Sequence, residues 1–151
     1  MKKLLLWLWA RICSHAAQPK GLRNNNPLNI RFNPAIKWQG QIGACKHGFV
    51  IFKSSDMGLR AAGRILRTYK YTHQLVTIAA IVSRWAPETE NDTQNYIRVV
   101  EKLSGIKAHK TLHESDYPRV VAAMITMENG TQPFSLKRIE KAVALGFKRE
   151  R

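Results

Sequence analysis

The chain reads as a mostly α-helical protein of the α+β class, with one small β-hairpin in its N-terminal half. Three observations predict this. Apolar residues recur at helical spacing in five segments after Ser54, and each segment is preceded by a residue suited to capping a helix. Short extended pieces separated by glycines are confined to the stretch between Asn29 and Phe52. Repeats and low-complexity runs are absent from the sequence. With 151 residues, the chain is large enough to bury a core without disulfides or metals.

Taken in order, the elements begin with an apolar and basic segment over residues 1–18, followed by a single domain over residues 19–151. The opening run from Met1 to Ala10 resembles the start of a signal peptide, with Ser14-His15-Ala16 as an imperfect cleavage site. Leu4, Leu8 and Ile12 also fall on one helical face, so a retained helix packed on the domain or lying at a membrane surface is the other reading. Arg11 breaks the run well short of the roughly 20 apolar residues that span a bilayer. Pro19 to Pro27 is a loop of turn formers. The pieces Asn29–Phe32, Lys37–Gly40 and Gly48–Phe52 predict a hairpin or a three-stranded flap.

The helices follow. Ser54 or Ser55 opens one to Tyr71 with Leu59, Ala62, Ile65 and Leu66 on its apolar face, and Thr77 opens a short one through Trp85. Asp92 or Thr93 opens a third that buries Tyr96, Ile97, Val100 and Leu103 and stops at Gly105. Ser115 opens a fourth, with Pro118 in its first turn, ending at Glu128 before Asn129-Gly130. Ser135 opens the last, to Leu145, closed by Gly146.

Charge narrows the partners. Net charge is +15, and no Asp or Glu occurs before Asp56. Such a field recruits a polyanion, whether bacterial cell wall, an anionic membrane surface or nucleic acid. No recognisable nucleic-acid module accompanies the charge, which weighs against the last. Cys13 and Cys45 match no metal or redox spacing and read as free thiols. The five histidines form no metal-binding motif, and no nucleophile elbow, P-loop or dinucleotide fingerprint occurs, so neither a metal nor a cofactor is expected.

The strongest candidate for chemistry is Glu128, which closes the apolar run from Val120 to Met127. A carboxyl held on a rigid element at the wall of a core is costly to ionise and can serve as the general acid of a glycosidase. An ordinary solvent-facing glutamate is the alternative. A second concentration of acids, Glu88, Glu90 and Asp92, lies between Trp85 and Tyr96. Glu90 and Asp92 could hold water or sugar hydroxyls, with Trp85 and Tyr96 as stacking faces, while helix capping by Asp92 is the bland reading. Asn24, Asn25, Asn26 and Asn29 form an amide cluster suited to N-acetylated sugars and equally to turns.

Several of these pieces, in order, carry a resemblance. The run Gly21 to Arg31, then Trp38-Gln39-Gly40, Gly48 to Phe52, Trp85-Ala86-Pro87 and Glu90-Asn91-Asp92-Thr93 resemble a family of small phage and prophage proteins. Those proteins are described as virion-associated or structural and are related to the cell-wall lytic enzyme of enveloped double-stranded RNA phages. The resemblance spans about Gly21 to Phe134 and implies peptidoglycan degradation by a lysozyme-like domain, acting from a virion or a phage-encoded lysin on the periplasmic wall. It adds Trp38 and Thr93 to the expected substrate-binding residues. Asn25 to Arg31 followed by Trp38 is also similar to the segment after the catalytic glutamate of bacterial glucosaminidases. In those enzymes and in lytic transglycosylases the catalytic helix comes first, whereas here Glu128 comes last, which implies a circularly permuted arrangement. The expected activity is a muramidase or lytic transglycosylase with Glu128 as acid and Glu90 or Asp92 in support. A cell-wall peptidase and a non-catalytic wall-binding protein are the alternatives.

Overall fold

The computed structural model describes residues 17–149; the expectations for the N-terminal apolar run and for Cys13 lie outside them. The order of elements is α1 (Lys20–Arg23), β1 (Gln41–Ala44), β2 (Val50–Phe52), α2 (Ser55–Tyr71), α3 (Ile78–Trp85), α4 (Thr93–Ser104), a 3₁₀ turn (Glu114–Asp116), α5 (Tyr117–Asn129) and α6 (Leu136–Phe147). The protein is mostly helical with a two-stranded antiparallel sheet, as its sequence predicts.

Capping chemistry explains most helix starts. The side chains of Ser54, Thr77, Asp92 and Ser135 accept from the backbone N–H groups of Met57, Ala80, Asn95 and Arg138, each three residues on. The expected cap at Ser115 is not found. Ser115 lies exposed in the 3₁₀ turn; the buried Asp116 stands at the N-cap of α5 without a side-chain bond to it and instead closes the 3₁₀ turn, accepting from the His113 N–H at 3.0 Å. Pro118 sits in the first turn of α5, where its missing N–H costs nothing.

The flap differs from expectation in one piece. Residues 37–40 form a turn, with Gly40 at φ +78° and the Trp38 carbonyl accepting from Gln41, so the strand starts at Gln41. It pairs with β2 through Gln41 opposite Phe52 and Ala44 opposite Val50. The first piece contributes a single bridge, Arg31 to Phe49. Leu103, expected in the core, is 51% exposed, whereas Tyr96, Ile97 and Val100 of the same helix are buried.

Helix α5 is the hub. Tyr117, Val120, Val121, Met124 and Ile125 are completely buried, packed among Leu59 and Leu66 of α2, Ile81 of α3, Val100 of α4 and Ile139 of α6. Each such side chain contributes about 1.5–3 kcal/mol by leaving water, so the last turn of α5 is anchored by what precedes it. Gly146, expected to end the last helix, lies inside α6. A side chain there would run into the Arg60 carbonyl, and one on Gly63 would stand 2.8 Å from the Val143 carbonyl. These two glycines let α2 and α6 pack backbone to backbone. The cost of glycine in a helix interior, about 1 kcal/mol, is offset by that approach.

Candidate active site

Helix α5 ends where its sequence predicts. Gly130 adopts the left-handed conformation at φ +70° and its N–H bonds to Thr126, leaving Glu128 and Asn129 in the last turn. Asn129 is buried and ties this end to the loop before the flap. Its Nδ2 donates to the Pro27 carbonyl at 2.7 Å and to the Ile125 carbonyl at 3.0 Å.

The loop is itself pinned by asparagines. Asn26 is completely buried; its Nδ2 donates to the carbonyls of Ile30 and Val50, both at 2.9 Å, and its Oδ1 accepts from the Ile30 N–H at 2.8 Å. Asn25, at φ +52°, donates to the Phe52 carbonyl and accepts from the Ser55 hydroxyl. Asn24 is buried, and its carbonyl accepts from Phe52 N–H. These three residues hold loop to sheet and none lines the cleft described below. Asn29 is different. At φ +50°, a conformation asparagine tolerates, it turns its side chain toward α5.

Three elements thus converge on one carboxylate. The Asn29 Nδ2 donates to Glu128 Oε2 at 2.8 Å, and the Tyr96 hydroxyl donates to Glu128 Oε1 at 3.0 Å. Glu128 is half-buried, and Tyr96 is 4% exposed. Burial first, then the negative charge of Glu128 and the hydrogen bond to it, push the Tyr96 hydroxyl far above the ordinary tyrosine value. It therefore remains a donor at any working pH.

A cleft of about 800 Å³ opens over Glu128. This is the size of a small-molecule or oligosaccharide site. Asn29, Trp38, Trp85, Glu90 and Glu128 all line it. The two half-buried indoles offer flat apolar faces. Glu90 stands at the exposed rim, bonded to Arg31 at 3.1 Å. Asp92 and Thr93 do not line the cleft. Asp92 is spent on its cap, with Asn95 N–H at 3.0 Å, and the buried Thr93 hydroxyl donates to the Ala86 carbonyl at 2.5 Å, closing the acidic loop. Of the expected residues, then, Glu128, Asn29, Tyr96, Trp38, Trp85 and Glu90 meet, and Asn24, Asn25, Asn26, Asp92 and Thr93 serve the scaffold.

Three further side chains line the cleft that no motif in the sequence marks. Tyr69 lines the cleft from α2 and His73 from the turn just after it, and Arg84 lines it from the end of α3. Tyr69 meets Trp85 edge to face at 6.2 Å between centroids and His73 at 6.5 Å. A signal existed for Tyr69, which follows Ile65 at four-residue spacing on the same face of α2. Among the described residues, no three His, Cys, Asp or Glu side chains gather as a metal site would, and no helix is long and apolar enough to cross a membrane.

No known family model matches the chain. Over 131 residues it is 44% identical to Protein P5 of Pseudoalteromonas phage PM2, a stretch covering 85% of this chain and 82% of that protein. The chain belongs to the family of that bacteriophage protein.

Proposed function

We propose that this member of the PM2 Protein P5 family cleaves the glycan strands of bacterial peptidoglycan, using Glu128 as its general acid. The observation that carries the reading is the convergence on Glu128: a half-buried carboxylate at a cleft wall, oriented by Asn29 and Tyr96, with indoles at hand for sugar rings. General acid catalysis requires such a group, held rigidly within hydrogen-bonding reach of the bond to be broken. The lysozyme-like, circularly permuted relationship belongs to the same proposal, as does action from a phage particle or a phage-encoded lysin on the host wall.

The chemistry follows from the two carboxylates available. Glu128 gives its proton to the bridging oxygen as the bond from the anomeric carbon breaks, and the departing sugar leaves as an alcohol. Glu90 is the other carboxylate lining the cleft, and its ion pair with Arg31 at the rim occupies it. This arrangement favours nucleophilic help from the substrate itself. The N-acetyl oxygen supports the developing positive charge, the 6-hydroxyl then attacks the anomeric carbon, and its proton returns to the Glu128 carboxylate. The product is a 1,6-anhydro sugar, the outcome of a lytic transglycosylase.

Mass spectrometry of digested peptidoglycan tests the reading. Anhydro-sugar ends are expected. Reducing ends would keep the glycosidase and return Glu90 to a water-activating role. Freed peptides with intact glycan would overturn the proposal in favour of a peptidase, and binding to the wall without any cleavage would favour a structural protein.

A further inference from the structure

The sugar rings of a bare peptidoglycan strand, once their lactyl groups are capped, carry no charge, yet the cleft is cationic. Lys20, Arg31 and Arg84 line it against the carboxylates of Glu90 and Glu128. Glu90 is taken by Arg31. Glu128 is held by Asn29 and Tyr96, neither of them charged. Lys20 and Arg84 therefore face the cleft with no carboxylate partner among the described residues. Neutral sugars give these two cations nothing to do.

Both are held in place by aromatic rings. The Lys20 Nζ lies 3.9 Å from the centroid of the Phe49 ring, and the Arg84 guanidinium carbon lies 5.6 Å from that of Tyr69. A ring contact of this kind fixes a cation without consuming its N–H groups. Lys20 comes from α1 and Arg84 from α3, so the two cations are supplied by separate elements of one cleft.

We infer that Lys20 and Arg84 are carboxylate-binding positions that select the peptide-bearing glycan strand over the bare one. The inference rests on the glycan-cleavage reading and gives it a substrate class. Peptides attached to alternate sugars bring free carboxylates along the strand, and a strand seated over Glu128 presents them to the cleft. The two cations supply binding energy for that substrate alone, so they act as specificity-determining residues and take no part in bond cleavage.

The test uses three glycan strands of matched length: one with intact peptides, one stripped by an amidase with the freed lactyl carboxylates then capped as amides, and one whose peptide carboxylates are blocked as methyl esters. The ratio of kcat/KM for intact over stripped strands is expected to be about 5–10 at low salt, since exposed ion pairs contribute modestly. It should shrink toward one at about 0.5 M salt. Blocked strands should behave as stripped ones, which separates charge from peptide contact. The double variant Lys20→Met and Arg84→Met should bring the ratio to within about two, whereas Lys20→Arg and Arg84→Lys should keep most of it, with melting curves confirming intact folds. Equal cleavage of intact and stripped strands by the native protein would overturn the inference and leave the glycosidase standing. A preference unaltered in a folded double variant would also overturn it. Cleavage of no strand at all would overturn both.

Discussion

Helix α5 carries a carboxylate at each end, and the two are treated in opposite ways. Asp116, at the N-terminal end, has a side chain only 6% exposed, yet it accepts from the His113 N–H and is bonded to Arg119 at 2.9 Å and Lys110 at 3.5 Å. It also sits where the helix dipole favours negative charge. Glu128, at the C-terminal end, sits where the dipole opposes it, and its two partners are a neutral amide and a neutral phenol. One carboxylate is compensated from every direction and opens onto nothing. The other is oriented but not neutralised, and it faces a cleft. Full compensation marks a group that serves stability. Orientation without compensation marks one kept available for chemistry.

The largest effect should separate these roles outright. Glu128→Gln is expected to reduce wall cleavage by about 10²–10⁴-fold while leaving the melting temperature near that of the native protein, because the amide oxygen still accepts from Asn29 and the Tyr96 hydroxyl can turn to accept from the amide NH2. Asp116→Asn should do the reverse. Losing charged acceptors for a part-buried N–H and two cations costs about 1–3 kcal/mol, read as a melting temperature lower by several degrees, with cleavage per folded molecule retained. Release of soluble muropeptides together with thermal melts checks both. Full activity in a folded Glu128→Gln protein would transfer the acid role to Glu90.

The same contrast divides the asparagines, and here sequence alone could not have decided. Asn25, Asn26 and Asn29 look alike as letters, and each suits either a turn or an acetamido group. What separates them is the path of the backbone. Asn26 points inward and replaces strand hydrogen bonds, whereas the left-handed turn at Asn29 swings its amide onto a helix that lies 99 residues further along the chain. The local signals read well from sequence: capping residues, Gly130, the apolar run of α5 and the helix that buries Tyr96. Long-range facts did not. The displacement of the second flap piece, the burial of Gly146 against α2 and the approach of His73 to the cleft all depend on which elements pack together, and no window of sequence contains that.

Substitutions can sharpen this division. Asn26→Ala leaves the Val50 carbonyl and the Ile30 N–H unpaired in the core, while the Ile30 carbonyl keeps its bond from the Val50 N–H, and should cost about 2 kcal/mol, measured by denaturant unfolding. Asn29→Ala puts alanine at φ +50° and should cost about 1 kcal/mol of stability, but lower kcat about 10-fold, since Glu128 then rests on Tyr96 alone. Tyr96→Phe should lower kcat to a similar extent, because it deletes the other donor and keeps the ring in its packed place. If either loss appeared only as a higher KM, those residues would be binding sugar rather than orienting the acid.

The smallest effects are in the pH dependence of stability, where the two ends of α5 should fail at opposite ends of the scale. Burial alone would raise the Asp116 carboxyl, but the His113 N–H, the Lys110 charge and the hydrogen bonds from Arg119 and Lys110 outweigh it and hold the group below the ordinary aspartate value. Between the folded and unfolded values the unfolded chain binds a proton that the folded one does not, so the stabilisation is present above about pH 4 and is lost as pH falls through the folded value. At the other end, Tyr96 is raised, chiefly by burial and then by Glu128. Above about pH 10 the unfolded chain releases the phenolic proton while the folded one keeps it, so stability falls as pH rises further. Melting temperatures followed from pH 2 to 11 should show both declines. Asp116→Asn should flatten the acid limb, and Tyr96→Phe should shrink the alkaline limb, part of which remains because burial also raises Tyr69 and Tyr117. An acid limb unchanged in Asp116→Asn would mean that the ion pairs around this carboxylate add nothing to folding, and the contrast between the two ends of the helix would lose its stability half.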